Sequence, residues 1–420
     1  MDNTDTRVHV CFVNVTKGIG GVERVIERHS ENLNPSRYRI SYAYTPFPND
    51  AAHIARLRAT GVGIVPMDNV LPLWAGDPGR AAGPAKKSIT RFWKTLVPVR
   101  VDELVYHFRN VRRLTRVFET ALAHIDGTPK IFQQFAGDYF WMAAAFHVLR
   151  RLYPEAILKL HLGNPPVFLN PTFIERRAFR EADSVTFVSR HTKTAWEKAL
   201  GFTVPHGRLI RTPVTTDVIP FIERAKTPGK EPFILLSVGR LSPIKGIDIA
   251  LQALRQIRDS GFDAALWIVG TGPEESRLRQ LTQELGLTDH VKFHGFVNDP
   301  SSLFAEVDFL LQPSTLTEGV PNSMLEAMAS GMPVIASRVG GIPEVITDKE
   351  TGILVDPSDP RQIADAVVTL IRDIELRKRI SRTASEYVRK YYSAKAVTAS
   401  LARLYESLLA DNPALATQTC

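Results

Sequence analysis

Glu318 and Glu326 stand eight positions apart in the stretch EGVPNSMLE, the first in a Gly/Pro loop and the second in the opening turns of a short helical pattern. Asn322 suits an N-cap, and Gly331 with Pro333 suits a stop, so the pattern predicts a helix over residues 323–330. Its free amides would point into the loop Glu318–Pro321. Backbone donors at a helix start favour an anion, so a phosphate fits there. Carboxylates beside a phosphate would then hold hydroxyls, because two anions repel. A nucleotide sugar offers phosphate, ribose and sugar hydroxyls together. As an isolated pair, Glu318 is better explained as a loop charge and Glu326 as part of a solvated helix face, so the choice rests on the rest of the chain.

With 420 residues and 44% hydrophobic content, the sequence is long enough for two domains, each with its own core. No run approaches the roughly 18 apolar residues needed to span a bilayer. The opening MDNTDTRV is acidic and polar rather than basic and then apolar, which predicts a protein kept in the cytoplasm. Two cysteines, Cys11 and Cys420, give neither a disulfide framework nor a metal-ligand spacing. The net charge is +8, and between Arg80 and Arg116 ten Lys and Arg stand against Asp102 and Glu103, an excess equal to that whole charge. A patch so local predicts one anionic surface or partner and argues against a protein that coats nucleic acid.

The elements that must position the glutamates alternate. VHVCFVNV is a β-branched strand followed by TKGIGG and a helix with Val22, Val25, Ile26 and Leu33 on one face. Gly20 and Gly21 would let backbone approach a phosphate, although a simple tight turn fits equally well. YRISYAY, VGIVPM, KIFQQF, AILKLHL and SVTFVS continue the strands, with Ser189 as a helix cap. His161 falls at a strand tip, where it could be a catalytic or sugar-binding group or be held in a loop by hydrogen bonds. Residues 213–232 loosen into prolines and charges, as a linker does, and the alternation then restarts with FILLSVGR.

Within the basic region, Ile89, Phe92, Trp93, Leu96 and Val97 lie on one helical face with Lys86, Lys87, Arg91 and Lys94 opposite. Such a helix suits an anionic membrane surface, and the same pattern suits a helix burying its apolar face in a core. A second amphipathic helix is predicted from Asp102 to about Ile125.

The run SVGRLSPIKGID, VGTGPE, VKFHGFV, DFLLQPS, EGVPNSMLEAMASGMPVIAS, VGGIPEVI and TGILVDPSD resembles the retaining glycosyltransferases of family four, also called glycosyltransferase group 1. The first half agrees more loosely, through GIGGVE, KLHLGNP and FVSRHTKTAWEKALG. The resemblance implies a GT-B architecture, an α/β fold with two Rossmann-like domains facing each other across a cleft. Residues 1–215 would be the acceptor-binding domain, joined by a helix at 395–420, and residues 216–394 the nucleotide-sugar domain. It implies that Arg240 and Lys245 neutralise the donor diphosphate, that Glu318 holds sugar hydroxyls with Gly319, Val320, Pro321 and Asn322 nearby, and that Glu326 holds the ribose. Phe296 and Val297 would pack the base, Gly20 and Gly21 would close over the phosphate, and His161 would lie near the anomeric carbon. There is no DxD motif for a metal, and no cofactor beyond the co-substrate is implied. One departure is the RTPVTTDVI stretch, where many members carry an Asn-Gly-Val-Asp turn.

The expected activity is transfer of a hexosyl unit, with retention, from a UDP- or GDP-sugar to a glycan or lipid-linked acceptor in cell-surface polysaccharide or glycolipid synthesis. The Lys86–Arg116 region would meet the inner face of the plasma membrane, and no nucleic acid is expected as a partner. A nucleotide-sugar epimerase or phosphorylase of the same fold, or a membrane-associated binding protein, are the alternatives.

Overall fold

A computed structural model describes residues 5–15, 21–46, 50–67, 112, 114–123, 125, 127–135, 139–166, 171–227, 229, 231–412 and 415. Gly20 and the basic amphipathic stretch 86–97 lie outside them, and of the basic patch only Arg112 and Arg116 lie inside. Of the helix expected from Asp102, residues 114–122 are described and helical.

The short apolar runs pair into two all-parallel sheets. The first contains β1 (Val8–Asn14), β2 (Tyr38–Tyr44), β3 (Gly63–Pro66), β4 (Ile131–Phe135), β5 (Ile157–Leu162), β6 (Ser184–Phe187) and β7 (Gly207–Leu209), in the order β3-β2-β1-β4-β5-β6-β7. The second contains β8 (Phe233–Val238), β9 (Ala264–Val269), β10 (Val291–Gly295), β11 (Phe309–Gln312), β12 (Val334–Ser337) and β13 (Ile353–Val355), in the order β10-β9-β8-β11-β12-β13. Helices α1 (Gly21–Asn32), α2 (Ala51–Ala59), α3 (Tyr139–Leu152), α4 (Phe173–Glu181) and α5 (Arg190–Leu200) follow strands of the first sheet. Helices α6 (Ile247–Asp259), α7 (Glu275–Glu284), α8 (Asn322–Ala329), α9 (Pro360–Arg372) and α10 (Ile374–Tyr391) belong with the second, and α11 (Ala394–Ala410) follows them. Each sheet carries an apolar cluster on both faces, as parallel sheets with near-continuous apolar strands require.

In each sheet the strand order reverses once, between β1 and β4 and between β8 and β11. Loops leaving the carboxyl ends of such a strand pair diverge and leave a crevice. The loops after β8 and β11 are therefore placed side by side, and they carry Lys245 and Glu318.

The chain passes between the sheets twice at one place. Val214 N donates to Tyr392 O at 2.8 Å and Ala394 N to Val214 O at 2.7 Å, so the outgoing and returning segments pair in parallel. Beyond that point α11 packs against α1. Its Leu401 and Tyr405 are fully buried among Val10, Phe12, Ile26 and Ile131, and the Tyr405 hydroxyl donates to Gln133 Oε1 at 2.6 Å. Burial of side chains this size contributes about 1.5–3 kcal/mol each, so α11 is held by the first sheet's core.

One local expectation is corrected. Helix α8 starts at Asn322, with Pro321 as its N-cap and no side-chain capping bond. The Asn322 amide does not turn back onto its own helix. Its Nδ2 donates to Gly21 O at 3.3 Å, at the start of α1.

Candidate functional site

Glu318 lies in the loop between β11 and α8, and Lys245 closes a short turn, Pro243–Lys245, after β8. Lys245 Nζ is 3.0 and 2.8 Å from the two oxygens of Glu318. The Ser314 hydroxyl also donates to Glu318 Oε1. With side chains 23% and 11% exposed, the pair faces the crevice rather than open solvent. Arg240, just past the end of β8, is exposed.

Two glycines shape this loop. Gly340 has φ +58° and stands so close to the Glu318 backbone that a Cβ would collide with its carbonyl oxygen, and Gly341 N donates to that oxygen at 3.0 Å. A Cβ on Gly319 would run into the carbonyl of Gly163, in the loop after β5. The two domains are thus in backbone contact at the Glu318 turn. Val320 is buried and packs with the apolar face under α8, while Pro321 and Asn322 are half-buried.

Glu326 lies one turn into α8 and is 2% exposed. Arg24 and Arg28, four residues apart on α1, both reach it across the cleft. Arg24 Nη1 lies 3.0 and 3.1 Å from the two carboxylate oxygens, and Arg24 Nη2 donates to Asn298 O at 2.7 Å. Arg28 Nη2 donates to Glu326 Oε1, while its Nη1 donates to Pro213 O at 2.7 Å and its Nε to Thr215 Oγ1 at 3.2 Å. Arg28 therefore ties α1, α8 and the RTPVTTDVI connection at a single guanidinium. On the other side of the cleft, Glu344 accepts from Arg190 N at 2.8 Å and His191 N at 2.6 Å, capping α5 from the opposite domain.

His161, next to last in β5, is 4% exposed. Its Nδ1 lies 3.0 Å from Thr186 Oγ1, and its ring centroid is 5.2 Å from that of Phe135. Thr186 Oγ1 also accepts from Lys159 Nζ at 2.8 Å. Burial, with the nearness of Lys159 and His29 adding to it, holds the His161 pKa well below the ordinary histidine value, so the ring is neutral. Lys159 is itself fully buried, and burial pushes its pKa well below the usual lysine range. With Thr186 on Nδ1, Nε2 is the ring atom left for a ligand.

Phe296 and Val297 follow β10; Phe296 is exposed at 57%, and Val297 is partly buried against the face under α8. Gly21 begins α1 and meets Asn322 across the cleft. The structure thus gathers Lys245, Glu318, Gly319 and Asn322 at one seam, with Gly21 and Glu326 beside it. His161 approaches from the first sheet through the strand that ends at Gly163. Arg24, Arg28, Glu344, Ser314 and Thr186 were not found from sequence. The i, i+4 spacing of Arg24 and Arg28 on the helix after the glycine loop was a usable sign, since it puts both on one face. Among the described residues no group of three or more His, Cys, Asp or Glu could hold a metal ion, and no described helix is long and apolar enough to cross a membrane.

A family profile described as glycosyl transferases group 1 matches residues 218–387. Over that region, the chain is similar to the group 1 glycosyltransferases. The matched region contains Arg240, Lys245, Phe296, Val297 and the whole Glu318–Glu326 stretch, whereas His161 and Gly21 lie outside it. Among relatives, the chain is 34% identical over 214 residues to a GDP-mannose-dependent α-(1-6)-phosphatidylinositol monomannoside mannosyltransferase of Mycolicibacterium smegmatis, covering 47% of this chain and 55% of that protein. It is 34% identical over 179 residues to an N-acetyl-α-D-glucosaminyl L-malate synthase of Bacillus anthracis, covering 43% of this chain and 46% of the relative. The chain spans about half the length of the curated relatives it matches. By shape, it is similar to Anabaena HepE in complex with UDP and glucose, with a TM-score of 0.71, 19% identity, and 96% and 100% of the two chains covered. It is likewise similar to a sucrose-phosphate synthase from Thermosynechococcus elongatus, with a TM-score of 0.71, 21% identity and the same coverage. The two parallel sheets and these likenesses give the chain the GT-B architecture.

Proposed function

We propose that this protein transfers a hexosyl unit from a nucleoside-diphosphate sugar to a glycan or lipid-linked acceptor, with retention at the anomeric carbon. The observation that carries the reading is the Lys245–Glu318 pair at the β8–β11 reversal, facing Gly163 and the His161 strand across the cleft. Lys245 and the exposed Arg240 suit the negative charge that grows on the leaving diphosphate, where fixed cations in a partly dry site stabilise a transition state most. In this role a diphosphate takes Lys245, and the Glu318 carboxylate is left to accept from sugar hydroxyls. Amides of the first turn of α8, which have no partner within the helix, add donors for the phosphates.

In the transfer, the acceptor oxygen bonds to the anomeric carbon on the face from which the bond to the diphosphate oxygen breaks, and the acceptor proton passes to the departing phosphate. His161, neutral and held through Nδ1, positions the sugar and donates or accepts a hydrogen bond at Nε2; it is not a nucleophile. Glu326 accepts from the ribose while keeping Arg24 and Arg28. Both UDP- and GDP-sugars fit this scheme: HepE was crystallised with UDP, and the mycobacterial relative is GDP-mannose-dependent. We place residues 1–215 with the returning α11 as the acceptor domain, and residues 216–394 as the donor domain.

The test is incubation of the purified chain with radiolabelled UDP- and GDP-hexoses, with and without a glycolipid extract. Acceptor-dependent transfer that disappears in Lys245→Ala supports the proposal. Conversion of the donor sugar with no acceptor present, in unchanged yield when acceptor is added, would make the protein an epimerase instead.

A further inference from the structure

The connection that leads from Val214 into β8 forms one wall of a cavity of about 540 Å3. Ile234, near the start of β8, and Asp308, just before β11, also line it, which puts it at the amino-terminal end of the second sheet, opposite Lys245 and Glu318. Arg224 lines the cavity at 5% exposure, yet its Nε and Nη2 have no acceptor. Those two nitrogens form one edge of the planar guanidinium, the edge that grips two oxygens of a carboxylate or phosphate side by side.

Arg377, 1% exposed, stands beside it. Its Nε donates to Arg224 O at 3.0 Å and its Nη2 to the Lys226 carbonyl, while Nη1 also lacks an acceptor. Lys226 Nζ lies 3.1 Å from Asp308 Oδ2, an oxygen that already accepts from Ile234 N at 2.8 Å. Asp308, 8% exposed, is the buried acid that attracts Arg224 and Arg377 as well. Three cations therefore converge on one buried carboxylate. At the rim, Glu223 is engaged by Arg382 at 2.9 Å, Glu231 lies 3.9 Å from Lys226 Nζ, and Glu306 is exposed, so none of these acids meets Arg224. Burial pushes the Arg224 pKa down to about 10, so the guanidinium is charged at neutral pH. A buried donor without an acceptor is costly to the fold, and a buried cation more so.

We propose that this cavity binds a small oxyanion, a phosphate or carboxylate carried on a compact polar metabolite, and that binding turns the Nε–Nη2 edge of Arg224, closed to solvent in this structure, onto two of its oxygens. The volume exceeds that of a bare ion and falls within the range of small-molecule sites. Trp267 also lines the wall. The site is separate from the donor cleft and does not depend on the assignment made there. A ligand in it would rest on Ile222–Lys226, the segment that joins the crossing at Val214 to β8.

Thermal unfolding of the full chain in a chloride buffer at constant ionic strength, titrated with inorganic phosphate, glycerol 3-phosphate or acetate, tests this. The expected result is a saturable rise in Tm with at least one probe, lost in Arg224→Gln and kept in Lys245→Ala. A rise with the two phosphates alone identifies a phosphate ligand, and a rise with acetate alone a carboxylate. No rise with any probe, a rise kept in Arg224→Gln, or one lost in Lys245→Ala overturns the proposal. Should Arg224→Gln fail to fold, Arg224→Lys keeps the charge without the two-nitrogen edge. It should weaken the apparent affinity about tenfold or more, and unchanged affinity overturns the proposal equally.

Discussion

Glu318 and Glu326 belong to one nine-residue stretch, but they are held by different parts of the molecule. Glu318 is engaged by Lys245 and Ser314, both from its own domain and both on loops beside the β8–β11 reversal. Glu326 is engaged by Arg24 and Arg28, which reach it from α1 of the other domain. The first arrangement survives if the domains part, and the second does not. A short motif thus divides into an end suited to chemistry and an end that registers whether the cleft is shut, and we expect the two ends to respond differently to mutation.

The largest effect is expected at the Glu318 end. Lys245→Ala and Glu318→Ala should each lower kcat by at least about a hundred- to a thousand-fold, with far-UV circular dichroism unchanged; wild-type turnover in either would remove the distinction. At the Glu326 end the effect should fall on stability. The Arg28 and Glu326 side chains are 8% and 3% exposed, and removing one partner of a buried pair costs about 3–5 kcal/mol. Calorimetry on Arg28→Met should show that loss, whereas a Tm within a degree of wild type would mean that the pair does not hold the domains.

The domains should also part company in acid. Burial pushes His9 down to about 4 and His29 down to about 3, and His161 is lowered further than its ordinary range. All three belong to the first sheet or to α1. Because the folded protein resists protonation at sites that the unfolded chain protonates near pH 6.5, the unfolded state binds more protons below that pH. Stability is therefore intact above about pH 6.5 and falls as pH drops toward 4 and 3, by up to about 1.4 kcal/mol per pH unit for each histidine. Scanning calorimetry from pH 7 to 4.5 should move the transition of the first domain down ahead of the second; equal movement would count against the buried neutral histidines. The smallest effect is expected at Glu344, which caps α5 from outside. Glu344→Ala should cost about 1 kcal/mol or less, seen as a Tm shift of a few degrees at most.

Much of the second domain was legible because its information is local. The strand ends, the turn before Lys245, and the glycines and carboxylates from Glu318 onward follow one another in sequence, and neighbouring strands bring them together. The partners of Glu326 were not legible in this way, since Arg24 is 302 positions and Arg28 298 positions away, and only tertiary packing selects them from many arginines. Asn322 shows the same limit on a smaller scale. Its type suits a cap, but a carbonyl from the facing domain competes for its amide and wins. In β5 a readable sign was passed over. Leu158, Leu160 and Leu162 alternate with Lys159 and His161, so two polar groups share the face turned toward α1 and α11. Lys159 with Thr186 was missed as the support beneath His161.

The paired crossing at Val214 and Ser393 has a consequence in time. The cluster that closes the first sheet's outer face includes Leu401, Tyr405, Leu408, Leu409 and Leu415, residues that follow the second domain in sequence. A chain emerging from the ribosome must therefore produce the entire second domain before the first can complete its core. The first domain is completed only after the second, and until then its α1 face, with Ile26 and His29, waits uncovered for a helix some 370 residues away, as the His29–Thr398 bond across 369 positions shows.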